Sequence, residues 1–479
     1  MAIITVFWTL YAYWSNYNLD RFIDMLENYA LGRRWALGYP KHPPLSQWTT
    51  AAWFSVLPTG DFAYRALTAL NLATGLGLMA ALARRFLDPA QQMAALAVSL
   101  AIPLMSFLAM TYNANSAMIP YWAGAALAYF GVIERRSMVA ATALGLCIGL
   151  ALLSKYYSAV LVLSLLAHSL FDREVRPLWR TGLPWIAMAV ATAVFAPHAV
   201  WLGQNGFGPV TYAALEQGDR SLGGVVGSNL AFIASQFAYA LPGLAPLALY
   251  RRRGDNLALF DFRSVLALDD RPLGRDWLFL TRGPPRATIV LSLAMASPVT
   301  TTWSMPAAMF WPVLLTLLLQ REIANRRART GMAFIISFAV VLLALSPVIQ
   351  RALLREAGVN SAVPVRRMVA AAESAWAQAA GAPLDFVTGE NFLAYGASFY
   401  AGGNPLAVKP AEVEGDDPIG NAFRRSGVLA MCRSEKCLSA EWLAANGFRM
   451  LPTIVVPGEP GAGGPASYPV HLWVKTPAP

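Results

Sequence analysis

The chain has 479 residues, 56% hydrophobic and only 13% charged, with a mean hydropathy of +0.45. An ordinary soluble domain carries roughly a quarter charged residues, so the composition excludes one and indicates a polytopic integral membrane protein. The net charge of +10 and pI of about 9.6 would raise nucleic acid as a partner in a soluble chain; here the arginines cluster beside apolar segments, where topology and anionic membrane lipids account for them and no nucleic acid is needed.

The first apolar segment, AIITVFWTLYAYW, starts almost at Met1 and lacks both a basic n-region and a small-residue cleavage site, so it reads as an uncleaved anchor. It is short for a full span, which fits tilt or residues missing upstream. The next stretch, Asp20 to Leu45 (DRFIDMLENYALGRRWALGYPKHPPL), gathers the candidate chemistry. A helix there would place Asp20, Asp24 and Glu27 at i, i+4 and i+7, so three carboxylates would share one face. Such a face repels itself unless it meets a cation, a metal or protons. Lys41 and His42 follow, and Pro43 and Pro44 hold that backbone extended.

Residues 44–57 (PLSQWTTAAWFSVL) carry Trp48 and Trp53 and no charge, which predicts a helix lying at the outer membrane interface. Candidate spans run over about 2–16, 62–83, 90–110, 116–133, 138–153, 156–171, 182–203, 227–250, 278–298, 301–320 and 331–350, eleven in all. Loop arginines orient them. Arg84 and Arg85, Arg135 and Arg136, Arg173 with Arg176 and Arg180, Arg251 to Arg253, and the Arg321 to Arg329 run mark cytoplasmic loops. The outer, periplasmic side then receives 17–61, 111–115, 154–155, 204–226, the turn near Pro298 and everything after about 351. Arg282 and Arg286 make 278–298 the least regular span.

Only five of the 37 basic residues are lysines, and the two in the membrane portion, Lys41 and Lys155, lie outside the arginine clusters. They read as placed point charges suited to an anionic ligand, with snorkelling at helix ends as the alternative. Residues 1–350 thus form one membrane module, with 17–61 its first periplasmic loop. After 351, a helical pattern at 364–380, LDFVTG, a helix-like 390–400, LAVK, SGVLAMC, a helix-like 439–446, MLPTIVV and VHLWVK predict a small α/β domain over 351–479. An oxidised Cys432–Cys437 pair fits the predicted outer side, whereas zinc lacks a second ligand pair. Cys147 reads as core. Glu390 in VTGEN is weak evidence of chemistry, and no GxGxxG, P-loop, HExxH or GxSxG motif occurs.

An N-terminal helix, an outer loop with DMLENYALG and GYPKHPPLSQW, many spans and an outer domain resemble family 39 of the GT-C glycosyltransferase superfamily, and within it bacterial members with a KHPPL segment. That group includes protein O-mannosyltransferases and bacterial lipid A aminoarabinose transferases. Further echoes are YNANSAMIPYW, LLSKYYSA, APHAVWLGQNGF and SPVTTTWSMP, covering roughly residues 1–350. The resemblance implies a GT-C fold in a bacterial inner membrane and an inverting transfer of a sugar from a polyprenyl-phosphate donor at the periplasmic face. The acceptor it implies is a lipid or saccharide, such as lipid A or lipopolysaccharide core.

Asp24 matches the family's first-loop aspartate as base or orienter, with Glu27 second; a salt bridge that fixes the loop is the alternative. Asp20 reads as a cap or loop orienter. Lys41, His42 and Lys155 are placed on the donor phosphate, and Asn115, Tyr112, Tyr157 and His198 on the substrates. His42 occupies the position of the histidine in the mannosyltransferases' HPPL segment. It can also ligate a divalent cation with Asp24 and Glu27, making a divalent metal an optional cofactor, or be purely structural. Many relatives carry an aspartate in the second outer loop where this chain has Tyr112-Asn113-Ala114-Asn115, which weakens the case for a metal. Asn113 and Asn115 also suit a helix N-cap, Tyr156 and Tyr157 an aromatic belt, and His198 a core position. A protein O-glycosyltransferase of the same fold is the first alternative. A flippase of lipid-linked saccharides is disfavoured, because the cations collect at one face.

Overall fold

The computed structural model describes residues 1–215, 219–248, 272–318, 325–355, 362–414 and 418–477. Its first helices are α1 (Ala2–Ser15), α2 (Asp24–Gly32), α3 (Leu45–Val56), α4 (Asp61–Ala83), α5 (Pro89–Ala101), α6 (Ala114–Arg135), α7 (Met138–Ser154), α8 (Ala159–Phe171) and α9 (Leu183–Gln204). Local capping decides several of their starts. Asp88 accepts the N–H groups of Ala90 and Gln91 ahead of Pro89, and the Gln91 side chain takes the Asp88 N–H in return. Ser137 caps α7 in a simpler way, through the Ala140 N–H.

Contacts group the chain into two units: Met1–Thr9, Ala36–Ser46 and Thr68–Leu342 in the first, Leu10–Trp35, Gln47–Leu67 and Leu343–Pro479 in the second. In place of a single division at about residue 350, Leu10–Trp35 and Gln47–Leu67 group with the C-terminal residues, whereas Ala36–Ser46 of the first loop groups with the first unit.

In the first unit, α7 lies between α6 and α9, and α8 packs along the Pro272–Ala294 helix. Gly149 permits the close approach of α9, since a Cβ there would lie 2.7 Å from Val194. Trp122, Phe130, Trp277 and Phe310 are fully buried, and the Trp277 indole donates to the Phe310 carbonyl at 3.2 Å.

Among the described residues, five helices are long and apolar enough to cross a membrane: Asp61–Ala83, Ala114–Arg135, Leu183–Gln204, Leu222–Pro246 and Ala328–Arg355. A bent pair, Pro89–Ala101 with Pro103–Met110, turns by 95° where Pro103 interrupts it. The segments expected over 2–16, 138–153 and 156–171 are helical but shorter than a span. The expected 301–320 span is not one helix; Pro306 and Pro312 divide it into Thr301–Ser304, Met305–Ala308 and Trp311–Leu318. The eleven expected spans are therefore not eleven continuous spanning helices among the described residues. This is a multi-pass membrane protein. The Arg251–Arg253 cluster lies outside the described residues.

In the second unit, α2 packs on the Asn391–Tyr400 helix, and Tyr29, Phe54, Tyr64 and Phe399 form an aromatic cluster with edge-to-face pairs at 4.9 to 5.4 Å and a tilted Tyr64–Phe399 pair at 5.8 Å. The C-terminal sheet joins β1 (Phe386–Gly389), β2 (Leu406–Ala407), β3 (Val428–Cys432), β4 (Arg449–Met450), β5 (Ile454–Pro457) and β6 (Ser467–Lys475). Its order is β2-β1-β3-β6-β4, with β5 on β6; β1 is parallel to β2 and β3, and β6 is antiparallel to β3, pairing Cys432 with His471. Most strands and helices fall where the sequence pattern predicted them; among the described residues the Pro418–Arg425 helix and short 3-10 turns at Pro410–Glu412 and Glu435–Cys437 are added, and MLPTIVV divides into β4 and β5. Cys432 and Cys437 are joined in a disulfide.

Phe423 on that added helix is fully buried among Phe386, Val408, Val413 and Val428. The Lys475 ammonium covers its ring at 4.7 Å and caps the helix by donating to the Phe423 and Arg424 carbonyls at 2.6 and 3.0 Å. Phe423→Ala is expected to cost about 3–5 kcal/mol of stability in this domain, measured by denaturant unfolding followed through Trp442 fluorescence.

Candidate functional site

Lys155 stands where α7 stops. Its backbone is extended (φ −161, ψ 137), so the side chain leaves the helix end instead of following the helix face. The ammonium donates to Asn115 Oδ1 at 2.7 Å and lies 4.7 Å from the Trp303 ring centroid. Asn115 is itself fixed by its neighbour. Asn113 is the N-cap of α6, accepting the N–H groups of Asn115 and Ser116, and its own N–H goes to Ser116 Oγ at 3.0 Å. The two asparagines thus divide the alternatives: Asn113 caps, and Asn115 holds the lysine. Tyr112 is buried to 1% exposure.

Tyr157 hydrogen-bonds Thr288 at 2.8 Å, its ring parallel to Trp122 at 6.1 Å and 5.6 Å from Trp303. This aromatic wall backs the lysine. Tyr156 meets His198 Nε2 at 2.8 Å, and His198 Nδ1 lies 2.7 Å from the Leu37 carbonyl. A carbonyl only accepts, so His198 carries its proton on Nδ1, and the Tyr156 hydroxyl donates to Nε2. His198 is 1% exposed, between the Tyr156 and Trp201 rings. It therefore serves as a pin for the 36–46 segment. Gly38 is the second pin, since a Cβ there would enter the Trp201 ring at 2.2 Å.

That pinned segment carries Lys41 and His42. Burial, then the Lys155 and Lys41 charges, push the His42 imidazole down to about 3. His42 is thus neutral at physiological pH beside two ammonium groups, and its hydrogen bond to the Lys41 backbone only partly opposes that shift. The charges that keep a proton off it also oppose a divalent cation there. No group of three metal-ligating side chains is gathered among the described residues. Because the folded value lies below the usual 6.5, the stability His42 contributes is complete above about pH 6.5 and declines as pH falls toward 3. Histidine-selective NMR is expected to show no His42 titration between about pH 5 and 9; a midpoint above 6 would contradict the buried, doubly flanked environment.

An apolar cavity of about 500 Å³ adjoins these helices, lined among others by Leu144, Ile148 and Leu152 of α7, Val162 of α8 and Ala191 and Val200 of α9. Its wall on α9 runs from Leu183 to Val200, roughly 26 Å of helix. One end lies at Leu152, three residues before Lys155, and at Ala199, beside His198.

The acidic residues belong to the second unit. The helix expected to run from Asp20 through Glu27 starts only at Asp24, because Ile23 has φ 64 and breaks the periodicity. The three carboxylates do not line one helical face. Asp20 sits outside, its Oδ1 accepting the Phe22 and Asp24 N–H groups at 2.7 and 3.1 Å and its Oδ2 that of Met25 at 2.7 Å. Asp24 is half-buried in the first turn. Glu27 is buried to 8% exposure, close enough to Tyr395 that its charge adds to burial in raising the phenol's pKa.

Sequence reasoning missed the charges that hold this loop. Arg65, 3% exposed on α4, donates to the Asn18 carbonyl at 2.9 Å. Asp61 pairs with Arg366 at 2.9 Å and accepts from the Tyr400 hydroxyl at 2.8 Å. An arginine inside the apolar run YRALTALNL was the signal for Arg65; nothing in the sequence joins Asp61 to Arg366. Glu390 forms a bidentate pair with Arg433, at the ends of β1 and β3, and Cys147 is a free, half-buried thiol.

The family model described as dolichyl-phosphate-mannose-protein mannosyltransferase matches residues 41–201, a range that holds Lys41, His42, Asn115, Lys155 and His198 but not Asp24. The lipid A galacturonosyltransferase RgtD of Rhizobium johnstonii is 27% identical over 232 residues, 47% of each chain. The lipopolysaccharide core galacturonosyltransferase RgtA of the same organism is 27% identical over 288 residues, 58% of this chain and 55% of its own. The core galacturonosyltransferase RgtB is 30% identical over 207 residues, 40% and 39%. The chain thus spans about half the length of the curated relatives it matches. Among solved structures, ArnT from Cupriavidus metallidurans bound to undecaprenyl phosphate superposes with TM-score 0.63 at 15% identity, covering 99% of this chain and 96% of that one. Its apo state gives 0.60 at 14%.

Proposed function

We propose that this chain, which has the fold of the GT-C glycosyltransferases, transfers a sugar from a polyprenyl-phosphate donor to lipid A or lipopolysaccharide core at the periplasmic face of a bacterial inner membrane. The observation that carries this reading is the Lys155 ammonium, held by Asn115 and Trp303 beside Lys41 and His42 and next to a long apolar cavity. A prenyl phosphate needs those two environments side by side: cations for the head and a dry groove for the tail. The three galacturonosyltransferase relatives favour a uronic acid as the sugar.

The transfer is a single displacement. The acceptor hydroxyl attacks the anomeric carbon as the glycosyl–phosphate bond breaks, inverting that centre. Asp24 takes the hydroxyl proton, and the departing prenyl phosphate keeps the bonding electron pair. Lys155 and Lys41 neutralise the charge that grows on it, and the uncharged His42, hydrogen-bonded to the Lys41 backbone, holds the segment that carries Lys41. Lys155 would meet that charge from between the Asn115 amide oxygen and the Trp303 ring.

Mass spectrometry of lipid A and core from cells with and without the gene tests this, alongside an Asp24→Asn complement. Loss of one uronic acid, restored by the parent gene and not by the variant, is the expected result. Unchanged glycans in both fractions would overturn it, and label appearing in protein would move the acceptor to a polypeptide.

A further inference from the structure

The first turn of α2 is held by a residue that is not part of it. Ile23, immediately before the helix, is in the left-handed region at φ 64 and supplies no side-chain cap. A β-branched residue adopts that conformation only when its surroundings impose it. What imposes it is Asp20, three residues earlier, whose two carboxylate oxygens take the N–H groups of Phe22, Asp24 and Met25. The carboxylate thus grips the chain on both sides of Ile23 and does the work of a helix cap from outside the helix. Arg65 braces the same segment through the Asn18 carbonyl.

This grip is electrostatically unfavourable. Asp20 is enclosed, with Asp24 facing it from its own loop and Arg65 from α4; burial first, then Asp24, push its carboxyl up to about 6, against the backbone bonds and Arg65. An asparagine would keep one of the two acceptor oxygens without a buried anion beside Asp24. A group whose charge costs stability at this place is better explained by geometry it enforces than by stability it adds.

We propose that Asp20 is the positioning residue for Asp24: its carboxylate locks the turn through Ile23 and so fixes the backbone from which Asp24 acts. This rests on the reading of Asp24 as the acceptor base. Asp20 touches no substrate and acts only through the three amides.

The test uses the full-length protein in lipid nanodiscs, with a synthetic polyprenyl-phosphate galacturonate and lipid A as probes. Asp20→Asn is expected to lower kcat about tenfold and Asp20→Ala about 30-fold, each with the donor KM within about twofold of the parent. Amide exchange at Phe22, Asp24 and Met25 should rise in the same order, while the thermal midpoint of Asp20→Asn stays within a few degrees of the parent. Unchanged kcat, or a loss that follows the thermal midpoint instead of the amide exchange, would overturn the proposal. So would protected amides in Asp20→Ala, a result that needs no substrate. A parent protein that moves no galacturonate while Asp20→Ala unlocks the amides would instead sink the functional reading and leave the lock standing.

Discussion

Asp24→Asn should lower sugar transfer by about a thousandfold, within the 10² to 10⁴ range that a positioned general base contributes, while the protein folds and still binds its prenyl-phosphate donor. The substitution keeps shape and removes only the ability to take a proton. Asp24 sits in the first turn of α2, half-buried, and its N–H is held by Asp20. Glu27, one turn later, supplies the internal control. It is 8% exposed and its charge is felt by Tyr395 on the Asn391–Tyr400 helix, so Glu27→Gln should act on stability and leave turnover within a few-fold. A single-turnover assay with radiolabelled donor, run beside a donor-binding assay, separates the two. Equal losses in both variants would mean that the acidic loop works as one charge cluster, and full activity in Asp24→Asn would remove it as the base.

The contrast between those two carboxylates shows where the sequence stopped being informative. Spacing put Asp20, Asp24 and Glu27 on one face, although Asp20 already read as a cap or loop orienter, as its three amide bonds bear out. One backbone angle at Ile23 sorts them into a lock outside the helix, a half-exposed acid at its start and a buried acid inside it. A left-handed isoleucine has no signature in the sequence, because isoleucine disfavours that conformation and only tertiary contacts impose it. Helix existence was far more legible: the strand and helix pattern after residue 362 reads off period and turn chemistry almost element by element. Span continuity was not. Hydropathy registers 301–320 as one apolar run and gives no weight to the prolines that divide it. Lys155 was legible for a physical reason, since an ammonium interrupting an apolar run is costly unless something is arranged around it. Its partners, Asn115 and Trp303, come from 40 residues before and far after in the chain, and only folding brings them together.

Lys155→Met should reduce kcat/KM by about 100-fold, since a charge-assisted hydrogen bond to a buried anion contributes about 1.5–3 kcal/mol. Lys155→Arg should recover little of it. Arginine's planar fork cannot reproduce one ammonium set between an amide oxygen 2.7 Å away and an indole face at 4.7 Å. Asn115→Leu should cost roughly tenfold, about what one hydrogen bond to a charged group contributes, and nothing more in the Lys155→Met background. That non-additivity distinguishes an asparagine that works through the lysine from one that touches the sugar directly. The most informative change at this site is Asn115→Asp, which keeps the size and the acceptor and adds only a charge. An aspartate would neutralise the lysine and lower its attraction for a phosphate, so donor affinity should fall by about tenfold or more, measured by titration of a short-chain prenyl phosphate. Tighter donor binding in Asn115→Asp would overturn the reading of Asn115 as a brace that leaves the Lys155 charge on the phosphate.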